Sequence, residues 1–255
     1  MKIGVLQADT VSKEFQADHG NYPTMFENML KSAGKQVLGS AIEVAHYNIM
    51  QSQFPKKLNE CNAYIITGSK KSVYDDEPWI HKFREFLVEL NDAKKIVIGI
   101  CFGHQLIADA LGGKTELAKV GWGVGVHQST ITNKKKFMNP PLDSFSVIVS
   151  HQDQVAELPS DAERLAASEF CPNAMFQIGQ HILTFQGHPE FTKGYSRALL
   201  ESRKAIIGDL IYERGCASLK IELHSEILAQ WIIRFINNEF LTKTKTYSNP
   251  EPSAE

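Results

Sequence analysis

Short β-branched runs alternate with segments of helical periodicity through the first half of the chain, the pattern of a parallel sheet covered by helices on both faces. Residues 3–7 (IGVLQ) read as the first strand. Phe26, Met29, Leu30 and Ala33 follow the i, i+3, i+4, i+7 spacing of one helix face, and Gly34 stands where a C-terminal cap would. Further strands are expected around 42–47 and at 63–67, then a helix over 77–90 with Trp79, Ile80, Phe83, Leu87 and Leu90 on one side. The nearly all-apolar run 96–100 predicts a central strand buried on both faces.

After Gly112 and Gly113 the rhythm changes, because 124–132, 145–150, 164–170, 175–178 and 182–186 look like strands with no helix between them. An antiparallel extension of the sheet fits that stretch. From Thr192 onward two helices are expected, the second with Leu219, Leu223, Ile227, Trp231 and Phe235 at steps of four, a core-facing stripe. The predicted fold class is α/β, with a central, mainly parallel sheet in one domain over residues 1–240. The polar, proline-bearing end, TKTKTYSNPEPSAE, reads as a frayed tail within 241–255.

Composition adds exclusions more than identity. With 43% apolar and 22% charged residues the chain has the make-up of an ordinary globular protein, and 255 residues suffice for one large domain or two small ones. A net charge of -2 gives no electrostatic footprint for nucleic acid or an anionic membrane. The opening MKIGVLQADT has no signal-peptide core and no later run is long and apolar enough to span a bilayer, so a cytoplasmic location is expected. Cys61, Cys101, Cys171 and Cys216 are far apart and form no CxxC pair, which argues against a zinc site or a disulfide scaffold. No metal or organic cofactor is implied.

The most informative stretch is KIVIGICFGHQLIADALGG, a buried strand running into a helix with Gly99, Cys101 and Gly103 at the junction. Small flanking residues permit the sharp turn of a nucleophile elbow, here presenting a thiol. A free thiol is a weak nucleophile until it ionises, and a helix N-terminus favours the anion. Free cysteine is more often a small buried residue; the two flanking glycines point to catalysis. The base is expected in QGHPEF (186–191), where Pro189 drives His188 into an extended conformation and Glu190, two positions on, projects to the same side to orient the ring. Gly68 and Ser69 follow the strand AYIIT, and the Gly68 N–H is the expected oxyanion donor together with that of Phe102.

These segments together resemble the class I glutamine amidotransferase family at TGS (67–69), ICFGHQ (100–105), SHQDQV (150–155) and QGHPEF (186–191), a likeness spanning residues 1 to about 240. The resemblance implies a flavodoxin-like three-layer fold. It implies Cys101 as the nucleophile that attacks a γ-glutamyl amide and forms a thioester, His188 as general acid and base, and Glu190 as its orienter. It places Ser69, Gln105, His151, Gln152 and Asp153 around the glutamine head group. The implied ligand is glutamine or another γ-glutamyl small molecule. Family members commonly serve an ammonia-consuming synthetase, and here any such partner would act in trans: GGKT (112–115) ends like a P-loop, but Ala108 stands where its first glycine belongs. The resemblance is also close to stand-alone members, including the γ-glutamyl peptidases of glutathione-conjugate metabolism, in which the leaving amine belongs to a peptide.

Rival readings remain open at this level. His151 and Asp153 form a second H-x-D pair able to complete a triad. Gly121, Gly123 and Gly125 imitate a dinucleotide motif, but the third glycine is misplaced and a strand follows. Lys134–Lys136 read as a solvated loop; Lys70 and Lys71 follow the oxyanion turn and could draw a substrate carboxylate. His104, three residues after Cys101, is given no catalytic role. A different class of protein, a non-catalytic relative using Cys101 as a redox sensor, needs neither His188 nor Glu190.

Overall fold

A computed structural model describes residues 1–246, with side chains to residue 237. In chain order the elements are β1 (Lys2–Gln7), α1 (Lys13–His19), α2 (Tyr22–Leu38), β2 (Glu43–Asn48), β3 (Ala63–Ile66), α3 (Pro78–Asp92), β4 (Ile96–Ile100), α4 (Phe102–Ala110), β5 (Lys114–Leu117), β6 (Gly123–Ile131), β7 (Ser144–His151), β8 (Asp153–Glu157), β9 (Ala162–Ala167), β10 (Met175–Ile178), β11 (Ile182–Phe185), α5 (Lys193–Ile207), α6 (Asp209–Ser218) and α7 (Ser225–Thr246). One nine-stranded sheet runs β2-β1-β3-β4-β11-β10-β9-β6-β7, and β5 pairs with β8 in a separate ribbon. The strands β2, β1, β3, β4 and β11 are mutually parallel. From β10 to β7 the pairing is antiparallel, so the parallel core with its antiparallel extension matches the expectation.

Apolar side chains fill both faces. One cluster joins Val5, Ile65 and Ile98 to Phe26, Leu30 and Trp231 of α2 and α7. The other joins Leu6, Ile66 and Val97 to Phe83, Leu87 and Leu106 of α3 and α4. Each such buried side chain contributes about 1.5–3 kcal/mol against leaving it in water. The three layers of helix, sheet and helix follow from that two-sided burial.

Four local expectations are corrected. Gly34 does not cap its helix; it lies inside α2, where a Cβ would come within 2.4 Å of Ile42 Cδ1, and the left-handed cap is Gly39 at φ 65°. Three helices follow Thr192 instead of two, because Gly208 at φ 80° separates α5 from α6. Leu219 and Leu223 fall outside α7, in a segment tied to β7 where His224 N–H donates to Ser146 O (2.9 Å) and Ser146 N–H donates to His224 Nδ1 (3.0 Å). Only Ile227, Trp231 and Phe235 of the stripe lie on α7. The β5–β8 ribbon was not legible as strands, since Asp153–Glu157 carries little β-branched character. Helix α7 extends to Thr246, so the polar terminal stretch lies partly on it and partly at 247–255, outside the described residues. Among the described residues no helix is long and apolar enough to cross a membrane.

Candidate active site

Three neighbouring parallel strands, β3, β4 and β11, end at the same level of the sheet, with Ile66 opposite Gly99 and Ile100 opposite Phe185. Their C-terminal extensions carry Gly68, Cys101 and His188 to one place, the edge at which open α/β sheets gather ligands. The Cys101 N–H donates to Phe185 O at 2.8 Å, still in register with β11. The chain then turns sharply into α4, leaving Cys101 at φ 51° and ψ -99°. That left-handed φ in a non-glycine residue costs on the order of 1–3 kcal/mol and persists only where packing over-determines it. The packing is on both sides of the thiol: a Cβ on Gly99 would lie 2.7 Å from Gly103 O, and one on Gly103 would lie 2.7 Å from Ile66 Cβ. The flanking glycines therefore let helix and strand meet closely enough to hold the elbow.

His188 is pinned through its backbone, donating N–H to Ile148 O of β7 at 2.8 Å. Its ring stacks on Phe191 at 3.9 Å and 6° between planes. Nδ1–H donates to Glu190 Oε1 at 2.8 Å, with both side chains buried. The carboxylate does not reach the ring along an extended chain, as the sequence suggests. It returns through a turn closed by Phe191 N–H to His188 O (3.3 Å). Burial by itself lowers an imidazole, but the Glu190 carboxylate and then the Cys101 sulfur act on the ring as anions and hold it up at about 10. Gly68 closes the group from the other side, since a Cβ there would stand 2.7 Å from His188 Cε1 and 3.7 Å from Cys101 Cβ. The Phe102 N–H opens α4, where an α-helix leaves its first amides free of intrahelical partners.

A cavity of about 330 Å³ opens on this edge, and Cys101, Ser69, Gln105, His151, Gln152 and Asp153 all line it. The structure thus brings together every residue expected around the head group. Gln105 Nε2 donates to Asp153 O (2.8 Å) and to Gln186 Oε1 (3.1 Å), which holds the amide in place. Both Asp153 carboxylate oxygens are occupied, by Ser72 Oγ (2.5 Å) and Tyr74 OH (2.9 Å). Ser72, Ser150, Trp122, Arg203 and Ile206 also line the cavity. All but Ser150 went unrecognised, because a loop serine, a tryptophan after a glycine turn and two residues on one helical face carry no local signal. Lys70 and Lys71 line it too, yet each is ion-paired, with Asp9 (3.5 Å) and Glu77 (2.5 Å) respectively.

The second H-x-D pair is not a triad. Because a carbonyl only accepts, His151 Nδ1–H donates to the backbone O of Asp153 (3.0 Å), and the Asp153 carboxylate bonds elsewhere. Burial, with His127 adding to it, pushes His151 down to about 3, so it is a neutral ring at ordinary pH. His104 is fully buried, bonds Thr184 Oγ1 at 2.8 Å and is pushed by burial to about 3, in keeping with a structural role. Among the described residues no group of three His, Cys, Asp or Glu side chains is arranged to hold a metal ion.

A thiol on a strand-to-helix elbow, beside an imidazole backed by a carboxylate and facing a cavity at the sheet's C-terminal edge, has the layout of a cysteine-dependent acyl-transfer enzyme. The chain belongs to the class-I glutamine amidotransferase family, whose model matches residues 21–206. Gamma-glutamyl peptidase 3 of Arabidopsis thaliana is 34% identical over 193 residues, 72% of this chain and 75% of that one. The glutamine-hydrolyzing GMP synthase of Streptococcus pneumoniae is 34% identical over 129 residues, 49% of this chain and 24% of the synthase. A glutamine amidotransferase structure from Thermotoga maritima shares the fold, with a TM-score of 0.71 at 19% identity over 92% of this chain and 98% of that one.

Proposed function

We propose that the protein cleaves γ-glutamyl amides through a γ-glutamyl thioester, with Cys101, His188 and Glu190 as a catalytic triad. The observation that carries this reading is the His188 ring, bonded at Nδ1 to Glu190 and lying beside the elbow thiol. That pairing places the imidazole to take the thiol proton as sulfur attacks, so that sulfur is the nucleophile and His188 then the acid. Sulfur attacks the γ-carbonyl carbon and forms a C–S bond. The oxyanion that develops is met by the N–H groups of Gly68 and Phe102, each such donor being worth about 2.7–4 kcal/mol at the transition state. The C–N bond breaks as the leaving nitrogen takes the proton from His188. Water then gives a proton to His188 and its hydroxide to the carbonyl, the C–S bond breaks, and glutamate leaves. Ser69, Gln105, Gln152 and Asp153 hold the amino-acid head, and His151 contributes as a neutral wall of the cavity.

Glutamine and γ-glutamyl peptides both fit this chemistry, which leaves a synthetase in trans as the consumer of ammonia when glutamine is the substrate. A cytoplasmic setting suits a site that depends on a reduced thiol. The test is to incubate the purified protein with glutamine, γ-glutamyl dipeptides and glutathione, and to measure glutamate release together with an acid-quenched γ-glutamyl adduct on Cys101. Release with an adduct that vanishes in Cys101→Ala is the expected result. An alkylatable Cys101 with no release from any of these substrates would favour a redox-sensing role instead.

A further inference from the structure

The cavity holds one cation with no carboxylate paired to it. Of its three cations, Lys70 and Lys71 are paired with Asp9 and Glu77, whereas Arg203 on α5 makes no ion pair with a carboxylate among the described residues. Its Nη1–H donates to the neutral hydroxyl of Ser150 at 2.5 Å, and its guanidinium lies over the Trp122 ring at 5.6 Å from the centroid. A hydroxyl and an aromatic face orient a guanidinium without neutralising it, and four of its five N–H donors stay free of that bond. The neighbouring Ile206 is 71% exposed, so this side of the cavity is its open rim, apolar apart from the guanidinium. The site's own carboxylate, Asp153, is held by Ser72 and Tyr74 and does not answer Arg203. The volume of about 330 Å³ lies at the lower end of the roughly 300–1,000 Å³ range of small-molecule sites.

We infer that Arg203, seated on Trp122 and Ser150, is a specificity residue that selects γ-glutamyl substrates whose leaving amine carries a carboxylate, namely γ-glutamyl amino acids and peptides, over glutamine. This rests on the γ-glutamyl reading above and adds the leaving group to it. In the first half-reaction the amide C–N bond breaks, the leaving nitrogen takes the His188 proton, and the departing amino acid or peptide keeps its carboxylate on the guanidinium. A planar fork binds a carboxylate through two parallel hydrogen bonds, a geometry that lysine does not reproduce.

The experiment compares kcat/KM of the intact protein for glutamine, γ-glutamylglycine and γ-glutamylglycinamide, the last replacing the carboxylate with a neutral amide. Wild type is expected to favour γ-glutamylglycine over the amide by about 10- to 100-fold, the size of one charge-assisted contact. Arg203→Ala should erase that preference and lower peptide turnover at least about 10-fold more than glutamine turnover, while Arg203→Lys restores part of it. Equal losses on all three substrates would place Arg203 on the glutamyl head group and overturn the inference, as would a preference unchanged in Arg203→Ala. Should the alanine variant fail to fold, the wild-type ratio of acid to amide decides alone, and a ratio near one overturns it. Wild type that turns over glutamine but neither peptide sinks this inference and spares the triad; wild type silent on all three sinks both.

Discussion

His151 and His188 each stand two residues before an acidic side chain and are 5% and 2% exposed, both at the C-terminal edge of one sheet. Their surroundings push them in opposite directions, to about 3 and about 10. At His188 a turn brings the carboxylate under Nδ1, and the nearby Cys101 sulfur adds to its effect on the ring. At His151 the strand continues into β8, so Nδ1 meets a backbone carbonyl while the Asp153 carboxylate is drawn off by Ser72 and Tyr74. Burial alone neutralises an imidazole; burial with an anion charges it. The residue pattern H-x-acid therefore does not by itself give an imidazole–carboxylate pair unless the backbone between the two residues turns.

The sharpest way to break this comparison is to remove each ring in turn. His188→Ala should lower kcat about 10^5-fold or more, since the members of the proposed triad would act as a unit. His151→Ala should leave turnover within about 10-fold, the loss of a cavity wall without a proton donor. Steady-state glutamate release from the two variants reads both effects, and the reverse order would reassign the base.

Glu190→Gln should cost roughly 10^3- to 10^4-fold in kcat, as loss of the orienting carboxylate does in other triads. It also removes the chief anion that holds His188 up. The alkaline limb of the kcat/KM profile should then move to lower pH, and an unmoved limb would detach that limb from His188. Gly68→Ala sharpens the same site by steric means, because its Cβ would arrive 2.7 Å from His188 Cε1. A displacement of that size is expected to reduce kcat by about 10- to 100-fold, with near-normal thermal unfolding.

The smallest effects concern stability. For His151 the folded value lies below the unfolded one near 6.5, so the unfolded chain binds more protons between about 6.5 and 3, and stability is lost as pH falls through that window. For His188 the folded value lies above, so its contribution is complete below about 6.5 and is lost as pH rises through about 10. Urea midpoints across pH should show His151→Gln flattening the acid side in part, since His104 is also pushed down to about 3, and His188→Gln flattening the alkaline side alone. Identical slopes in both variants would refute the contrast.

Much of the site was legible in local residue chemistry. Gly99, Cys101 and Gly103 announce an elbow because only small neighbours allow strand and helix to approach as they do. The parallel strands were readable from short apolar runs alternating with amphipathic helices. Other features had no such signature. Gly34 looked like a helix stop but serves close packing on Ile42, and the helical stripe from Leu219 breaks because β7 captures His224. Arg203 and Trp122 are ordinary residues of a helix and a loop until α5 is laid across the cavity.

The chain by itself determined its parallel strands, the helices that alternate with them and the chemical identity of the thiol, imidazole and carboxylate, since these depend on residue type and on neighbours within a few positions. Tertiary structure decided which histidine is charged, where each carboxylate is spent and which cation is left unpaired. Those outcomes are set by the distance and dielectric between groups far apart in sequence, brought together by the parallel register of β3, β4 and β11.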